Sequence, residues 1–169
     1  MKHEKDSPPR TLVVGYGNLD RSDDGIAYYV INALRRRLGQ SVLSEGNTGL
    51  EELGGAVDSI FLGQLVPELM EVLADYEHLI FIDAHAYDKM ENLYCVPVLP
   101  EHASTTFTHH MTPALLLAFI KALYHREPSG YLVSIRGHDF DFHRELSAEA
   151  EVCVESAVEH IVQVITERK

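Results

Sequence analysis

The sequence predicts an α/β sandwich of three layers, in which helices flank a twisted, mostly parallel sheet of five strands. Short apolar runs of strand length alternate with amphipathic helical patterns along the chain. One run, His78–Asp83, is apolar almost throughout, as in a strand covered on both faces. The length of 169 residues is most simply one domain spanning 1–169, with residues 1–9 as a loose N-terminal tail.

The first strand is predicted at Thr11–Val14, and the glycines after it give the backbone freedom that a strand-to-helix corner needs. Ser22 is a suitable N-cap for the following helix, whose apolar spacing continues to about Leu38. Residues 40–56 contain four glycines and at most a short helical turn at Leu50–Leu53. This is long for a loop of a compact domain, so we expect the segment to be mobile or to take part in binding.

The later elements are marked by apolar runs and by helix-starting residues. The later strands are predicted at Ser59–Leu62, His78–Asp83, Leu93–Leu99 and Tyr131–Ile135. Pro97 places the run that contains it at an edge of the sheet. The later helices are predicted to start at Pro67, at Thr112 with Pro113, and after Ser147.

Composition excludes several classes of partner. The chain has 26 acidic and 14 basic residues, a formal net charge of -12, which argues against nucleic acid and anionic membranes. Cys95 and Cys153 form no CxxC motif and are expected to be small buried residues in a reducing compartment. The N-terminus lacks a signal-peptide core, no apolar run has membrane-spanning length, and no coiled-coil pattern is visible. We therefore expect a cytoplasmic monomer.

Two adjacent carboxylates, Asp23 and Asp24, follow the first glycine corner and allow two interpretations. They are ordinary acidic residues in the first turn of a helix, where the dipole favours them, or they lie at the mouth of a site beyond the carboxyl ends of the strands. A phosphate ligand is disfavoured, because the third glycine of a dinucleotide motif is missing and Asp20 adds further negative charge.

Other candidate residues lie at predicted element boundaries. Asp83 ends the apolar central strand at the same edge of the sheet, although a lone carboxylate there also serves to cap a loop. His109 and His110 come just before the third long helix, and an adjacent pair is weak evidence for a metal site. In His138–His143, metal-binding residue types alternate with phenylalanine, a pattern that an exposed loop gives as well.

Asp24, Asp83 and His109 together suggest two kinds of chemistry. Two carboxylates and one imidazole form a plausible partial shell for a divalent transition metal with open positions. The alternative is acid–base chemistry on a bound peptide. A covalent mechanism is disfavoured, because no nucleophile elbow, HExxH motif or Cys/His pairing is evident.

Three motifs in order resemble the nickel-iron hydrogenase maturation proteases, which trim the C-terminal extension of the hydrogenase large subunit. These are GYGNLDRSDDGI, FIDAH and FTHHMTP, and the segments GQLVPEL and SIRGHDFDFHRELS are also similar to parts of that family. The resemblance covers about residues 11–166. It implies an endopeptidase whose protein partner is a large-subunit precursor.

The resemblance also implies roles for individual residues. Asp24 would contact a metal, with Asp83 and His109 completing the set and His110 as the alternative to His109; Asp24 and Asp83 are the catalytic candidates. The implied metal is nickel, presented by the precursor as a recognition signal rather than held as a resident cofactor, and no nucleotide is implied. A nickel-sensing chaperone that binds the immature subunit without cutting it is the alternative function.

Two departures from the family pattern affect these expectations. Asp20 occupies a usually apolar position, which is expected to change the electrostatics around Asp24. Gly63-Gln64-Leu65 replaces the common Gly-Gly-Thr turn after the second strand, which affects peptide binding. We expect residues 40–56 to help decide which large subunit is recognised.

Overall fold

Five strands form one sheet in the computed structural model, which describes residues 7–88, 91–101 and 110–168. The strands are β1 Thr11–Tyr16, β2 Val57–Leu62, β3 His78–His85, β4 Leu93–Val98 and β5 Ser129–Arg136. Their order is β2-β1-β3-β5-β4, and only the β4–β5 pair is antiparallel. The predicted mostly parallel sheet and the edge position of the proline-containing strand are confirmed.

Helices cover both faces of the sheet, which confirms the three predicted layers. They are α1 Ile26–Arg37, α2 Met70–Leu73, α3 Pro113–Tyr124 and α4 Ala148–Glu167. One core cluster joins α1 and α4 to one face of the sheet, and a second joins α2 and α3 to the other. Short 3-10 turns lie at Ser22–Gly25, Leu50–Glu52 and Pro67–Leu69. The predicted helix at Pro67 thus begins as a 3-10 turn and is short.

Two of the three predicted capping residues act as caps. Thr112 Oγ1 accepts from the Leu115 N–H at 3.2 Å, and Ser147 Oγ accepts from the Ala150 N–H at 3.2 Å. The prediction that Ser22 caps the first helix is wrong. Ser22 is the first residue of a 3-10 turn with φ of 47°, and its hydroxyl donates instead to the Glu145 carbonyl at 2.6 Å. The Ser22 hydroxyl therefore binds a residue that is distant in sequence instead of capping the helix.

Successive side chains of a strand point to opposite faces of the sheet, and this alternation decides which residues pack against which helices. Leu12 and Val14 of β1 belong to the cluster under α2 and α3, whereas Val13 belongs to the cluster under α1 and α4. In β3, Phe81 likewise faces α2 and α3. Asp83, two residues later, therefore continues the row that faces α2 and α3, at the carboxyl end of the strand.

Residues 40–56 are bound to α1 by hydrogen bonds. This argues against the alternative that the segment is mobile. Leu43 is 1% exposed, and its backbone exchanges hydrogen bonds with the Asn32 side chain at 2.8 and 3.1 Å. The buried Arg35 guanidinium donates to the Ser41 carbonyl and to Glu52, at 2.8 and 2.9 Å. The predicted helical turn in this segment is present as Leu50–Glu52.

The remaining expectations concern the termini and the cysteines. Residues 1–6 of the predicted tail lie outside the described residues, and residues 7–9 are exposed. Cys95 and Cys153 are free and half-buried against the core. Within the described ranges, no helix has both the length and the apolar character needed to cross a membrane.

Arg35 and Arg36 are neighbours on α1 with opposite environments, which makes them a matched pair for a stability test. Arg35 is 4% exposed and also donates to the Ser59 hydroxyl and carbonyl at 2.9 Å, whereas Arg36 is exposed. We expect Arg35→Met to lower the free energy of unfolding by about 3 kcal/mol, because buried acceptors lose their donor. Arg36→Met should change it by less than about 0.5 kcal/mol. Urea unfolding measures both, and equal losses would contradict the anchoring role.

Candidate active site at the carboxyl edge of the sheet

The corner after β1 is closed by a contact that only glycine permits. Gly17 has φ of 150°, and a Cβ atom there would lie 1.9 Å from the backbone oxygen of Asp24. The Asn18 N–H donates to Asp24 Oδ2 at 2.8 Å, and the Asn18 side chain accepts from the Asp20 N–H at 2.9 Å. The chain therefore doubles back tightly, and Asp24 is held directly against the end of β1.

Asp23 and Asp24 have different roles, although they are adjacent. Asp23 is fully buried, and its carboxylate accepts from the N–H groups of His138, Asp139 and Ser147 at 2.7, 3.0 and 2.8 Å. The Ser147 hydroxyl donates a fourth hydrogen bond at 2.7 Å. Asp24 is half-buried and accepts one bond from the Asn18 backbone. Asp23 is thus a structural carboxylate, and Asp24 retains free acceptor positions.

These contacts fix the ionisation of Asp23. Burial by itself would raise the pKa of this carboxyl, but the hydrogen bonds from Ser147, His138 and Asp139 outweigh it and hold the pKa below its ordinary value. The ionised carboxylate joins the corner to residues 137–147.

Asp83 lies at the carboxyl end of β3 and accepts a hydroxyl on each oxygen. Tyr16 Oη donates to Oδ2 at 3.0 Å, and Ser134 Oγ donates to Oδ1 at 2.6 Å. Burial raises the pKa of Asp83 against these two bonds, and the charge of Asp24 raises it further. The same contact raises the pKa of Tyr16, after the larger effect of burial. The 3-10 turn that carries Asp24 packs against β3, so both carboxylates lie at this end of the sheet, and their joint role stays a prediction.

Sequence reasoning missed three residues around Asp83. Ser134 is its register partner on β5, and Tyr16 follows directly after the Gly15–Ile82 pair on β1. His85, two residues further along β3, places Nδ1 2.8 Å from Ser134 Oγ. In the sequence these residues are visible only as polar residues at the ends of otherwise apolar strands. This pattern indicates a shared site only once the register of the strands is known.

The structure describes one of the two histidines that were predicted as the imidazole ligand. His109 lies outside the described residues. His110 is exposed and precedes α3. In the part of the chain that the structure describes, no group of three or more His, Cys, Asp or Glu side chains could hold a metal ion. Asp24 and Asp83 both lie at the carboxyl edge of the sheet, and their role as a pair of metal contacts stays a prediction.

The alternating segment His138–His143 is a loop that supports the corner, as the exposed-loop interpretation predicts. His143 Nε2 lies 2.7 Å from Asp139 Oδ2, and Phe142 is 83% exposed. The backbone of this segment supplies two of the N–H groups that bind Asp23. His143 and Asp139 therefore pair with each other, and the described residues form no metal-binding group in this segment.

Asp20, the unusual acidic residue of the corner, is paired with a cation. Arg144 donates to Asp20 at 2.9 Å and also forms an ion pair with Glu45. All three side chains are about half or more exposed, so these pairs contribute little to stability. They do offset the charge that Asp20 adds beside Asp24, and they connect the corner with residues 40–56.

An open cleft of about 560 Å³ adjoins the corner. Its walls come from the corner, from α1, from residues 45–48 and from the turn after β2. The lining residues are Gly17, Asn18, Leu19, Tyr28, Glu45, Gly46, Asn47, Thr48, Phe61, Leu62, Gly63 and Gln64. Both the long segment and the unusual turn after β2 therefore contribute to one binding surface, beside Asp24.

Three solved structures share this fold over nearly the whole chain. The hydrogenase maturating endopeptidase HybD from E. coli is 23% identical with a TM-score of 0.68, over 94% of this chain and 93% of that one. The NiFe hydrogenase maturation protease HybD from Thermococcus kodakarensis is 20% identical with a TM-score of 0.62, over 92% and 99%. The protease HycI from Thermococcus kodakarensis KOD1 is 17% identical with a TM-score of 0.64, over 94% and 93%.

The similarity is visible in structure rather than in sequence. No protein-family model matches the chain, and no curated protein sequence matches it. The chain therefore has the fold of the hydrogenase maturation endopeptidases, which confirms the predicted fold class.

The different roles of Asp23 and Asp24 can be tested through stability. We expect Asp23→Asn to lower the free energy of unfolding by about 3 kcal/mol, because the amide group faces N–H donors. Asp24→Asn should cost less than about 0.5 kcal/mol, because the amide oxygen can still accept from Asn18. Denaturant unfolding at neutral pH compares the two variants.

The stabilisation from Asp23 should also depend on pH. Because its folded-state pKa lies below the ordinary value of 3.8, the contribution is complete above that value and is lost as the pH falls through the folded-state pKa. The difference in stability between the wild type and Asp23→Asn should therefore narrow in acid. A difference that stays constant down to pH values well below 3.8 would contradict this account.

Proposed function

We propose that this protein is an endopeptidase that removes the C-terminal extension of a nickel-iron hydrogenase large-subunit precursor. The observation that carries the proposal is that Asp24 and Asp83 both lie at the carboxyl edge of a sheet whose fold is that of hydrogenase maturation endopeptidases. Two of the three motifs that resemble this family contain these residues, Asp24 in GYGNLDRSDDGI and Asp83 in FIDAH. The proposed partner is the large-subunit precursor.

Nickel in the precursor is the proposed recognition signal. Asp24 and Asp83 offer oxygen ligands, and His109, or His110 in its place, offers an imidazole nitrogen, a set that suits a divalent transition metal. Asp23 is not available, because its oxygens already accept four hydrogen bonds. Three ligands leave positions for groups of the precursor itself, as a metal presented by the substrate would need.

Peptide hydrolysis also needs a group that accepts the proton of the attacking water. Asp24 is half-buried and accepts one hydrogen bond from the described residues, which leaves an oxygen for this role. Burial raises the pKa of Asp83 toward the range in which a carboxyl group transfers protons effectively. Either carboxylate can act on the water while the other contacts the metal.

The cleft beside Asp24 is the proposed binding surface for the chain around the cleaved bond. Phe61, Leu19 and Tyr28 provide apolar contact area, while Asn47 and Gln64 provide polar groups. An open cleft of this kind suits an extended peptide. Its walls include residues 45–48, which supports a role of segment 40–56 in selecting the precursor.

Removal of one carboxylate should abolish processing without unfolding the protein. A nickel-loaded precursor and a nickel-free precursor are each incubated with the wild type, and the products are measured by mass spectrometry. We expect loss of a C-terminal peptide from the loaded precursor alone. Asp24→Asn and Asp83→Asn should slow this cleavage at least about 100-fold. Asp75→Asn, which changes an exposed carboxylate between α2 and β3, is the matched control.

Each other outcome has a distinct meaning. Cleavage of both precursors would retain the protease and remove nickel as the signal. Binding of a competent precursor without cleavage would favour the nickel-sensing chaperone. Unchanged cleavage by both aspartate variants would exclude the proposed site.

A bulky side chain in the cleft should weaken binding of the precursor. Gln64 is exposed and lines the cleft, so Gln64→Trp fills space without entering the core. We expect KM for the precursor to rise about tenfold or more, with little change in melting temperature. Gln163→Trp on the exposed side of α4 is the control. An unchanged KM for Gln64→Trp would place the peptide elsewhere.

A further inference from the structure

The outer side of β2 is an edge of the sheet, because β2 comes first in the strand order. The edge of a sheet presents N–H and C=O groups that can pair with another chain, and proteins usually cover them. Here two side chains bind outward carbonyl groups. Gln40 Nε2 donates to the Val57 carbonyl at 3.0 Å, and the Arg35 guanidinium donates to the Ser59 carbonyl at 2.9 Å. The chain itself therefore binds carbonyls along the first part of this edge.

At the carboxyl end of β2, two main-chain groups point away from the sheet. The Leu62 carbonyl accepts from the Gly17 N–H at 3.0 Å, on the side of β1. The C=O and N–H of one trans peptide point in opposite directions, so the Gly63 N–H points away from β1. The Phe61 N–H donates outward to the Thr48 carbonyl at 3.0 Å. Because both main-chain groups of a strand residue point to the same side, the Phe61 carbonyl also points outward.

These two outward groups are available to a ligand. In the described part of the chain, neither the Phe61 carbonyl nor the Gly63 N–H has a hydrogen-bond partner. A Cβ atom at Gly63 would lie more than 4 Å from every described residue except its chain neighbours. Both residues line the cleft beside Asp24. A C=O and an N–H two residues apart on one side of a strand are the groups that one residue of a parallel neighbour binds.

We propose that the precursor pairs one residue of its extended chain with the edge of β2, an inference that rests on the proposed function. This residue donates its N–H to the Phe61 carbonyl and accepts from the Gly63 N–H. Thr48 already occupies the position beside Phe61, so the pairing is limited to this point. Main-chain bonds of this kind supply affinity that is independent of the peptide's side chains.

The position of this edge explains why the occupant is the chain around the cleaved bond. Asp24 is held against Gly17 at the end of β1. A chain added outside β2 lies two strand spacings, or about 10 Å, from β1. An extended chain covers this distance in about three residues. The residue that pairs with β2 is therefore about three residues from the bond that reaches Asp24.

Removal of the Gly63 N–H tests this contact directly. Gly63→Pro lacks the N–H, and it follows Leu62 in a strand, the conformation that is favoured before proline. Gly63→Ala keeps the N–H and places its methyl group in open space. We expect Gly63→Pro to raise the KM for the precursor about tenfold or more, as the loss of one buried hydrogen bond does. Gly63→Ala should raise it less than about threefold. Equal increases would overturn the proposal.

A measurement without proline covers the case in which Gly63→Pro does not fold. Nitrogen-15 labelling of glycine gives one amide signal for each glycine, and Gly63→Ala identifies the signal of Gly63 by its absence. Asp83→Asn keeps the nickel-loaded precursor intact during the measurement. We expect bound precursor to slow amide hydrogen exchange at Gly63 at least about tenfold. Gly39, at the other end of α1 from the corner, is the control and should not change. Unchanged exchange at Gly63 would overturn the proposal.

The pairing at β2 and the proposed function can fail separately. A wild type that cuts the precursor, with equal KM for the two Gly63 variants, counts against the pairing alone. If the wild type binds the precursor without cutting it, the dissociation constant replaces KM. Weaker binding by Gly63→Pro than by Gly63→Ala would then support the pairing and count against the endopeptidase alone. A precursor that is neither bound nor cut counts against both.

Discussion

The carboxylate of Asp23 holds the carboxyl edge of this molecule together. It is buried, it has no cationic partner among residues 7–88, 91–101 and 110–168, and three backbone N–H groups and one hydroxyl compensate its charge. The donors come from two ends of one long loop, at residues 138–139 and at Ser147. The start of α4 and the turn before α1 are therefore fixed to each other through a single side chain. The position of the turn that carries Asp24 depends in part on this link.

The 3-10 geometry of the turn explains why Asp23 and Asp24 have opposite roles. With three residues per turn, neighbouring side chains point about 120° apart. Asp23 is directed into the protein, and Asp24 is left half-buried against Asn18. If Ser22 had capped a regular helix, the loop after β5 would not have been required to bind Asp23. The 3-10 turn is therefore the one cause of both the wrong prediction at Ser22 and the unexpected role of Asp23.

Much of the fold could be predicted because its signals are local. Apolar runs, the proline of β4 and the caps at Thr112 and Ser147 each depend on a few neighbouring residues. The position of Asp24 and Asp83 at one edge of the sheet was also accessible, because the carboxyl ends of parallel strands share one edge. The contacts around Asp83 were not accessible in this way. They depend on the register of β1, β3 and β5, which the single sequence does not specify.

The way in which residues 40–56 are attached bears on how such a protein diversifies. Asn32, Tyr28 and Arg35 of α1 hold the segment mainly through its main chain, at the carbonyls of Ser41 and Leu43 and the N–H of Leu43. Main-chain groups are the same for almost every amino acid. Substitutions in the segment can therefore alter the wall of the cleft and leave its attachment intact. The segment can therefore be exchanged for one of different sequence. Selectivity for the precursor would change, while the carboxylates and the sheet would stay as they are.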